Sequence, residues 1–598
     1  MGRKYRFGIW SMVVCSLLLM GAISIAVVGY DNWLQESNDA RSNGYSPGVT
    51  MYPINEFPRP TGGGTPTYTY IDDLTEPVNA NNGNIQTHIA AWYEGSQIED
   101  NLRVAFTTTN SDGVGAIYLV DSDGDNVGNY PIIYENGAGV SEGDAGSSIA
   151  VYHDEHLHGS ESESYETLLV AALHDLNDGI GNNPNQVRAY DLNGNLHWWY
   201  NCEDWKSIWC APVIWEDPWW GDSQDALGHD DDFAYVFLYD ETQFPGRTKL
   251  VSLDLTVDQN GAAIGASYTT DWFNELTPTY CTPVILQVGT NPNIDTYLFF
   301  MLDEWTWSNN LNDWLNTGTR VICIDIDPNN LQAGEYDVIF NTQLPIYDTE
   351  VIPGNPPENV NWRYTVNTDP AAIETREFTD PGYDDWAGIV FGSNDGSDDY
   401  GKDVFFVGWT GAAVDIISYD LSFGSTPLGG GTQQQTDPIV VGSPAIKMNM
   451  DIGEHPDEIY VLYKDRTTGR MGIAYFDEVT EIESNLIFRY PEAFPSDSYL
   501  PMSPVITDEF LYVGCGYSHT PSPYEFMGGM VYINLDMIEE NDTCGFFHSL
   551  PWSLTDVNED QHWLATPAIL QVSSSEQYIF MGSADEDLHG GYLWRLSV

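Results

Sequence analysis

Ala211-Pro212-Val213-Ile214, Thr282-Pro283-Val284-Ile285, Ser443-Pro444-Ala445-Ile446, Ser503-Pro504-Val505-Ile506 and Thr566-Pro567-Ala568-Ile569 repeat one pattern: a small residue, a proline, then apolar residues that read as the start of a buried strand. Ser147-Ser148-Ile149-Ala150 repeats it with serine in the proline position. Recurrence at roughly 60 to 70 residues is about the length of a four-stranded propeller blade with generous loops, a unit that cannot bury both of its faces alone.

Each start is followed by a run rich in β-branched and aromatic residues: Phe233 to Tyr239, Tyr297 to Leu302, Glu458 to Tyr463, Phe510 to Gly514 and Tyr578 to Gly582. Such runs are central strands. Third runs end in an apolar-Asp signature, as in Arg188-Ala189-Tyr190-Asp191 and Val251-Ser252-Leu253-Asp254, where the aspartate caps a turn. Fourth runs are aromatic, as in Leu196-His197-Trp198-Trp199-Tyr200. Two further starts, Thr87-His88-Ile89-Ala90 and Trp386-Ala387-Gly388-Ile389-Val390, bring the expected number of blades to eight. The last blade has only three strands before Val598, and the alternating segment Thr67-Tyr68-Thr69-Tyr70-Ile71 is free to supply the fourth. The expectation is an all-β chain over 66–598, an eight-bladed β-propeller of four-stranded blades closed by an N-terminal strand, with no exposed sheet edge at the joint.

The stretch Val187-Arg188-Ala189-Tyr190-Asp191-Leu192-Asn193-Gly194-Asn195-Leu196-His197-Trp198 resembles the repeat of pyrroloquinoline-quinone-type (quinoprotein-like) propellers, whose blades close with an apolar-Asp-x-x-Gly-x-x-x-Trp run. The acidic stretches Asp451 to Glu458 and Asp395 to Asp403 are similar to the calcium-loop repeats of integrin-like propellers. The first resemblance implies a quinone cofactor beside adjacent cysteines. No two cysteines are adjacent here, so pyrroloquinoline quinone is not expected.

Residues 8 to 29 are a nearly uncharged apolar run behind Arg3, Lys4 and Arg6, the pattern of an export signal. Residues 1–29 are read as either a cleaved signal peptide or a retained anchor, since about 20 apolar residues can also span a bilayer. Residues 30–65, with Thr61-Gly62-Gly63-Gly64, form a flexible tether, and residues 345 to 385 interrupt the blade pattern as an irregular insertion. The protein is expected at the cell surface or outside the cell, with membrane contact only through its N-terminal segment.

Against 20 basic residues stand 89 acidic ones, a net charge of -69, which excludes nucleic acid as a partner and leaves open a life in high salt. Six cysteines outside the leader permit local disulfides, Cys202 with Cys210, Cys281 with Cys323 and Cys515 with Cys544, although sequence does not fix connectivity.

Three groups carry candidate chemistry. Asp121-Ser122-Asp123-Gly124-Asp125-Asn126-Val127-Gly128-Asn129 places oxygens at alternate positions, the arrangement a hard cation needs, so Asp121, Asp123, Asp125 and Asn129 are the candidate calcium ligands. The alternative is an acidic turn that binds nothing. His153-Asp154-Glu155-His156-Leu157-His158 offers three imidazoles to a transition metal, or a solvated loop. Among many tryptophans, those read as lying in turns, Trp219, Trp220, Trp305 and Trp307, are candidate platforms for a sugar ring or anchors for a protein, whereas outer-strand tryptophans pack blade on blade. No Gly-x-Ser-x-Gly elbow, His-Glu-x-x-His or phosphate loop occurs. The leading expectation is a non-catalytic binding or scaffold module for an extracellular protein or glycan, with calcium as a stabiliser. An extracellular enzyme, either a divergent quinoprotein oxidoreductase or a polysaccharide-active one, is the alternative, and a structural subunit of a surface layer or filament the third reading.

Overall fold

The computed structural model describes residues 69–73 and, with gaps mainly in the connections, residues 89–343 and 371–597. Residues 1–68, which include the expected leader and the whole of the expected tether, and residues 344–370 lie outside that set. Among the described residues no helix is long and apolar enough to cross a membrane.

The described part of the chain is all-β, built of several small sheets in which strands that follow one another in sequence pair antiparallel. The first sheet is Ala90–Tyr93, Leu102–Thr109, Val114–Val120 and Ile132–Glu135 in that order. The second repeats the plan with Ala150–His153, Thr167–Leu173, Gln186–Asp191 and Leu196–Asn201. A fifth strand, Ala262–Ile264, leaves the third sheet and pairs in parallel with Leu196–Asn201.

The proline of the repeat explains the first edge, in sequence order, of four sheets. Lys206–Ser207 and Val213–Trp215 both pair with Phe233–Asp240. Leu276–Pro278 and Val284–Thr290 do the same along Asn293–Ser308, Pro438–Val440 and Ala445–Lys447 along Glu458–Asp465, and Gln561–Leu564 and Ala568–Ser573 along Glu576–Asp585. Pro212, Pro283, Pro444 and Pro567 stand between the two segments in sequence. Proline has no N–H to give the ladder, so the edge strand breaks there and resumes with the apolar residues that follow.

In the second sheet both faces are buried, which is why Thr167–Leu173 is buried at every position rather than at alternate ones. Neighbouring sheets share their cores. Trp92, Ile117 and Leu119 of the first sheet cluster with Val151, Leu169 and Leu173 of the second. Val170, Val187 and Trp198 of the second meet Val236, Val251 and Leu253 of the third. Tyr235, Phe237 and Leu250 of the third meet Leu298, Phe300 and Ile322 of the fourth. Near the other end of the chain, Val505 and Tyr512 join Ile569, Ile579 and Phe580, and this cluster continues into Ile89, Val104 and Phe106 of the first sheet.

Thr69–Asp73 pairs antiparallel with the final strand Tyr592–Ser597, Thr69 opposite Arg595, so the strand overlaps the alternating segment read from sequence at Thr69, Tyr70 and Ile71. Arg595, buried, donates from Nη1 to the carbonyl of Ser122 at 2.9 Å and stacks on Tyr578 at 4.7 Å. This cation ties the last sheet to a turn of the first.

One boundary departs from the sequence reading. Ala371–Ile373 is the edge strand of the sheet formed with Ala387–Gly392, Asp403–Trp409 and Val414–Asp420, so this sheet begins one strand before the start placed at Trp386. It lies between Val284–Thr290 and Ala445–Lys447, inside the stretch read as irregular. Its sequence, Asp369-Pro370-Ala371-Ala372-Ile373, is the repeat with aspartate before the proline. Cys202 and Cys323 are buried, and no disulfide occurs among the described residues; Cys210, Cys281 and Cys544, one member of each expected pair, lie outside that set. Burial, with Asp325 nearby, pushes the Cys323 thiol well above its ordinary range, so it behaves as an inert core residue.

Candidate functional site

The fourth sheet carries the feature that its core does not explain. Asn293–Ser308 and Asp313–Asp325 form a hairpin paired continuously from Tyr297 opposite Asp325 to Ser308 opposite Asp313. Leu298, Phe300 and Leu302 are buried against the third sheet, and Phe299 meets Phe340 edge-on at 5.9 Å on the other face. Beyond Leu302 the alternation brings no further core residue. Glu304 instead holds Arg320, Oε1 to Nη2 at 2.8 Å, and Arg320 also donates to Oδ1 of Asn341 at 3.1 Å. The register shifts between Glu304 and Trp305, a bulge that re-aims the strand end.

Trp305 is anchored at that bulge. Its indole N–H donates to Thr277 Oγ1 at 3.0 Å and its backbone N–H to the carbonyl of Glu275 at 3.0 Å. Trp307, two residues on and so on the same face, is opposite Trp314. The two indoles meet edge to face, centroids 5.6 Å apart and planes at 73°, and Trp307 keeps 40% of its surface exposed. The turn closes through Asn312 in the left-handed region at φ 54, with its N–H donating to the carbonyl of Ser308. Trp305 and Trp307 are thus strand residues, not turn residues as read from sequence. The alternation Trp305-Thr306-Trp307-Ser308 against Asp313-Trp314-Leu315 carries the strands outward, and the cross-strand tryptophan pair stabilises the outermost rungs. Trp314, seven residues after Trp307 across a turn rich in asparagine, is the partner sequence reasoning did not assign to the platform. Trp219 and Trp220 lie outside the described residues, and Trp198 is fully buried between the second and third sheets.

The acidic turn is the second candidate. Asp121 Oδ1 accepts the backbone N–H groups of Asp123 and Asp125, each at 3.0 Å, and Gly124 at φ 85 donates to the Asp121 carbonyl. The same turn is built at Asp191: Oδ1 accepts from Asn193 at 2.9 Å and from Asn195 at 2.7 Å, with Gly194 at φ 79. Asparagines replace two acids and the geometry persists, so the turn is set by its first aspartate and its glycine. Asp123, Asp125 and Asn129 are exposed. Among the described residues no three His, Cys, Asp or Glu side chains are grouped as metal ligands. The backbone of Asn129 joins two turns, because its N–H donates to the carbonyl of Asn193 at 3.0 Å and so docks the first turn on the second. A Cβ at Gly128 would lie 2.7 Å from the Asn193 Cα, so that docking requires glycine. Tyr130 completes the joint by donating to the Asp191 carbonyl at 2.8 Å, and burial, with Asp191 and Tyr190 adding, raises its phenol far above the ordinary range.

The histidine run divides. His153 ends the strand Ala150–His153 and is buried, its Nδ1 2.9 Å from Thr167 Oγ1 and 3.7 Å from Glu94 Oε2. Glu94 also accepts from Thr167 and from the Trp92 indole, so these groups join the first and second sheets. His156 and His158 lie outside the described residues. Glu94 carries no motif and was not legible in sequence.

No protein-family model matches the chain, and no curated protein matches it in sequence.

Proposed function

We propose that the protein is an exported, cell-surface or secreted eight-bladed propeller that acts as a non-catalytic binding module, with the fourth-sheet hairpin as its contact arm. The propeller reading rests on the repeat, on cores shared between sheets consecutive in sequence, and on the pairing of Thr69–Asp73 with the C-terminal strand. The export reading rests on the apolar run behind Arg3, Lys4 and Arg6. The single observation that carries the binding role is the Trp307–Trp314 pair held on an arm that outruns its core. Two indoles braced edge to face across a paired hairpin supply contact area at little cost in conformational entropy.

Calcium enters this reading as a ligand of the exposed carboxylates of Asp123 and Asp125 together with Asp121 and Asn129, stiffening a turn that already forms by itself. Wild type would then melt at higher temperature in calcium than in chelator, and Asp123→Asn/Asp125→Asn would lose that difference while matching wild type in chelator.

The binding role is tested by adding purified protein without residues 1–29, the candidate anchor, back to envelopes of the producing cells. The wild-type sequence is expected to be retained, and a variant in which residues 306–315 are replaced by a two-residue turn, with Trp305 and its bonds to Thr277 and Glu275 left in place, to be released with an unfolding midpoint close to wild type. Equal retention of both would refute the contact arm.

A further inference from the structure

Resting on that binding role, we infer that the Trp307–Trp314 corner is a stacking site for the pyranose rings of an uncharged glycan. The edge-to-face contact at 5.6 Å holds Trp307 in place without covering it, and Trp305 below it is fastened to Thr277 and Glu275. An indole face held in this way suits the flat C–H face of a sugar, which needs apolar contact together with polar neighbours. Asn309 and Asn312, exposed in the turn that follows the pair, supply those neighbours on the same hairpin.

Charge narrows the class of glycan. At -69 the chain repels polyuronates and sulfated chains, and the cation on this hairpin, Arg320, is held by Glu304 at 2.8 Å. Size argues against a protein. The large hydrophobic residues exposed among those described are Ile133, Trp307 and Val338, and Ile133 belongs to the first sheet. A stable protein interface buries roughly 800 Å² on each partner around a clustered apolar centre, whereas one exposed ring beside a half-buried one matches one or two sugar units.

The test is a titration of full-length protein with soluble cello-, laminari-, manno- and chito-oligosaccharides, with polygalacturonate as the anionic control, followed by tryptophan fluorescence and saturation-transfer NMR. At least one uncharged series is expected to bind, with affinity falling about tenfold or more in Trp307→Ala and largely kept in Trp307→Tyr. Unfolding midpoints of the variants serve as the fold control. Failure of every uncharged series, preference for polygalacturonate, or binding that Trp307→Ala leaves unchanged would each overturn the inference. If the arm is still needed for envelope retention while no saccharide binds, the glycan assignment falls and the binding role stands; if retention does not depend on the arm, both fall.

Discussion

The third and fourth sheets share one apolar core, yet their central hairpins end differently. In the third, Phe233–Asp240 turns back two residues after Leu238, the last of its buried apolar run. Asp240 closes that turn by accepting from Thr242 and by holding Arg247 Nε at 3.0 Å, and Gly246 sits at φ 89. In the fourth, Asn293–Ser308 runs six residues beyond Leu302 before it turns. One hairpin is as long as its core and the other is longer. Folding accounts for the length of the first, and the excess of the second is available for function.

The comparison breaks if core and arm prove equally important for stability. Phe300, fully buried, packs edge-on against Phe237 at 4.9 Å across the two sheets, so Phe300→Ala is expected to cost about 3–5 kcal/mol. Urea unfolding measures it. Gly246→Ala comes next: a Cβ there would lie 2.5 Å from the Asp240 carbonyl oxygen, and alanine at that positive φ adds about 1–3 kcal/mol of strain. The tight third-sheet turn has no slack to absorb it.

A smaller effect is read in pH. Burial raises the Asp240 carboxyl, but hydrogen bonds from Thr242 and Arg247 outweigh it and hold the group below its ordinary 3.8. The folded value is depressed, so the contribution is present above pH 3.8 and is lost as pH falls through the folded-state value. Arg247→Gln should flatten that acid limb in unfolding midpoints measured between neutral and strongly acid pH. At the small end, Trp307→Ala should cost no more than about 1 kcal/mol, the worth of a cross-strand aromatic pair, because Trp307 is not among the described residues packed on the shared core. A destabilisation near that of Phe300→Ala would make the arm structural and erase the contrast.

The repeat made the first strand of each of these sheets legible because proline and the apolar residues after it are local signals. It failed at Ala371–Ile373 only because aspartate stands where a small residue was expected before Pro370. The aspartate of the apolar-Asp signature was read correctly as a turn cap at Asp191, since its carboxylate bonds its own backbone two and four residues on. What sequence could not separate was Trp198 from Trp307. Both stand in tryptophan-rich strands, and their burial is decided by whether a neighbouring sheet reaches that far, which is a property of tertiary packing. Likewise Glu94, His153 and Thr167 lie far apart along the chain and meet only where two sheets abut.

Imaging of full-length protein by single-particle electron microscopy, at a resolution that separates sheets, tests most directly the claim that one arm projects from a closed ring. The account predicts eight sheets around a central channel, Thr69–Asp73 in the same sheet as Tyr592–Ser597, and one hairpin, that of the fourth sheet, standing clear of the rim with Trp307 at its outer end. An open arrangement, a different number of sheets, or a fourth-sheet hairpin folded back onto its neighbours would contradict it.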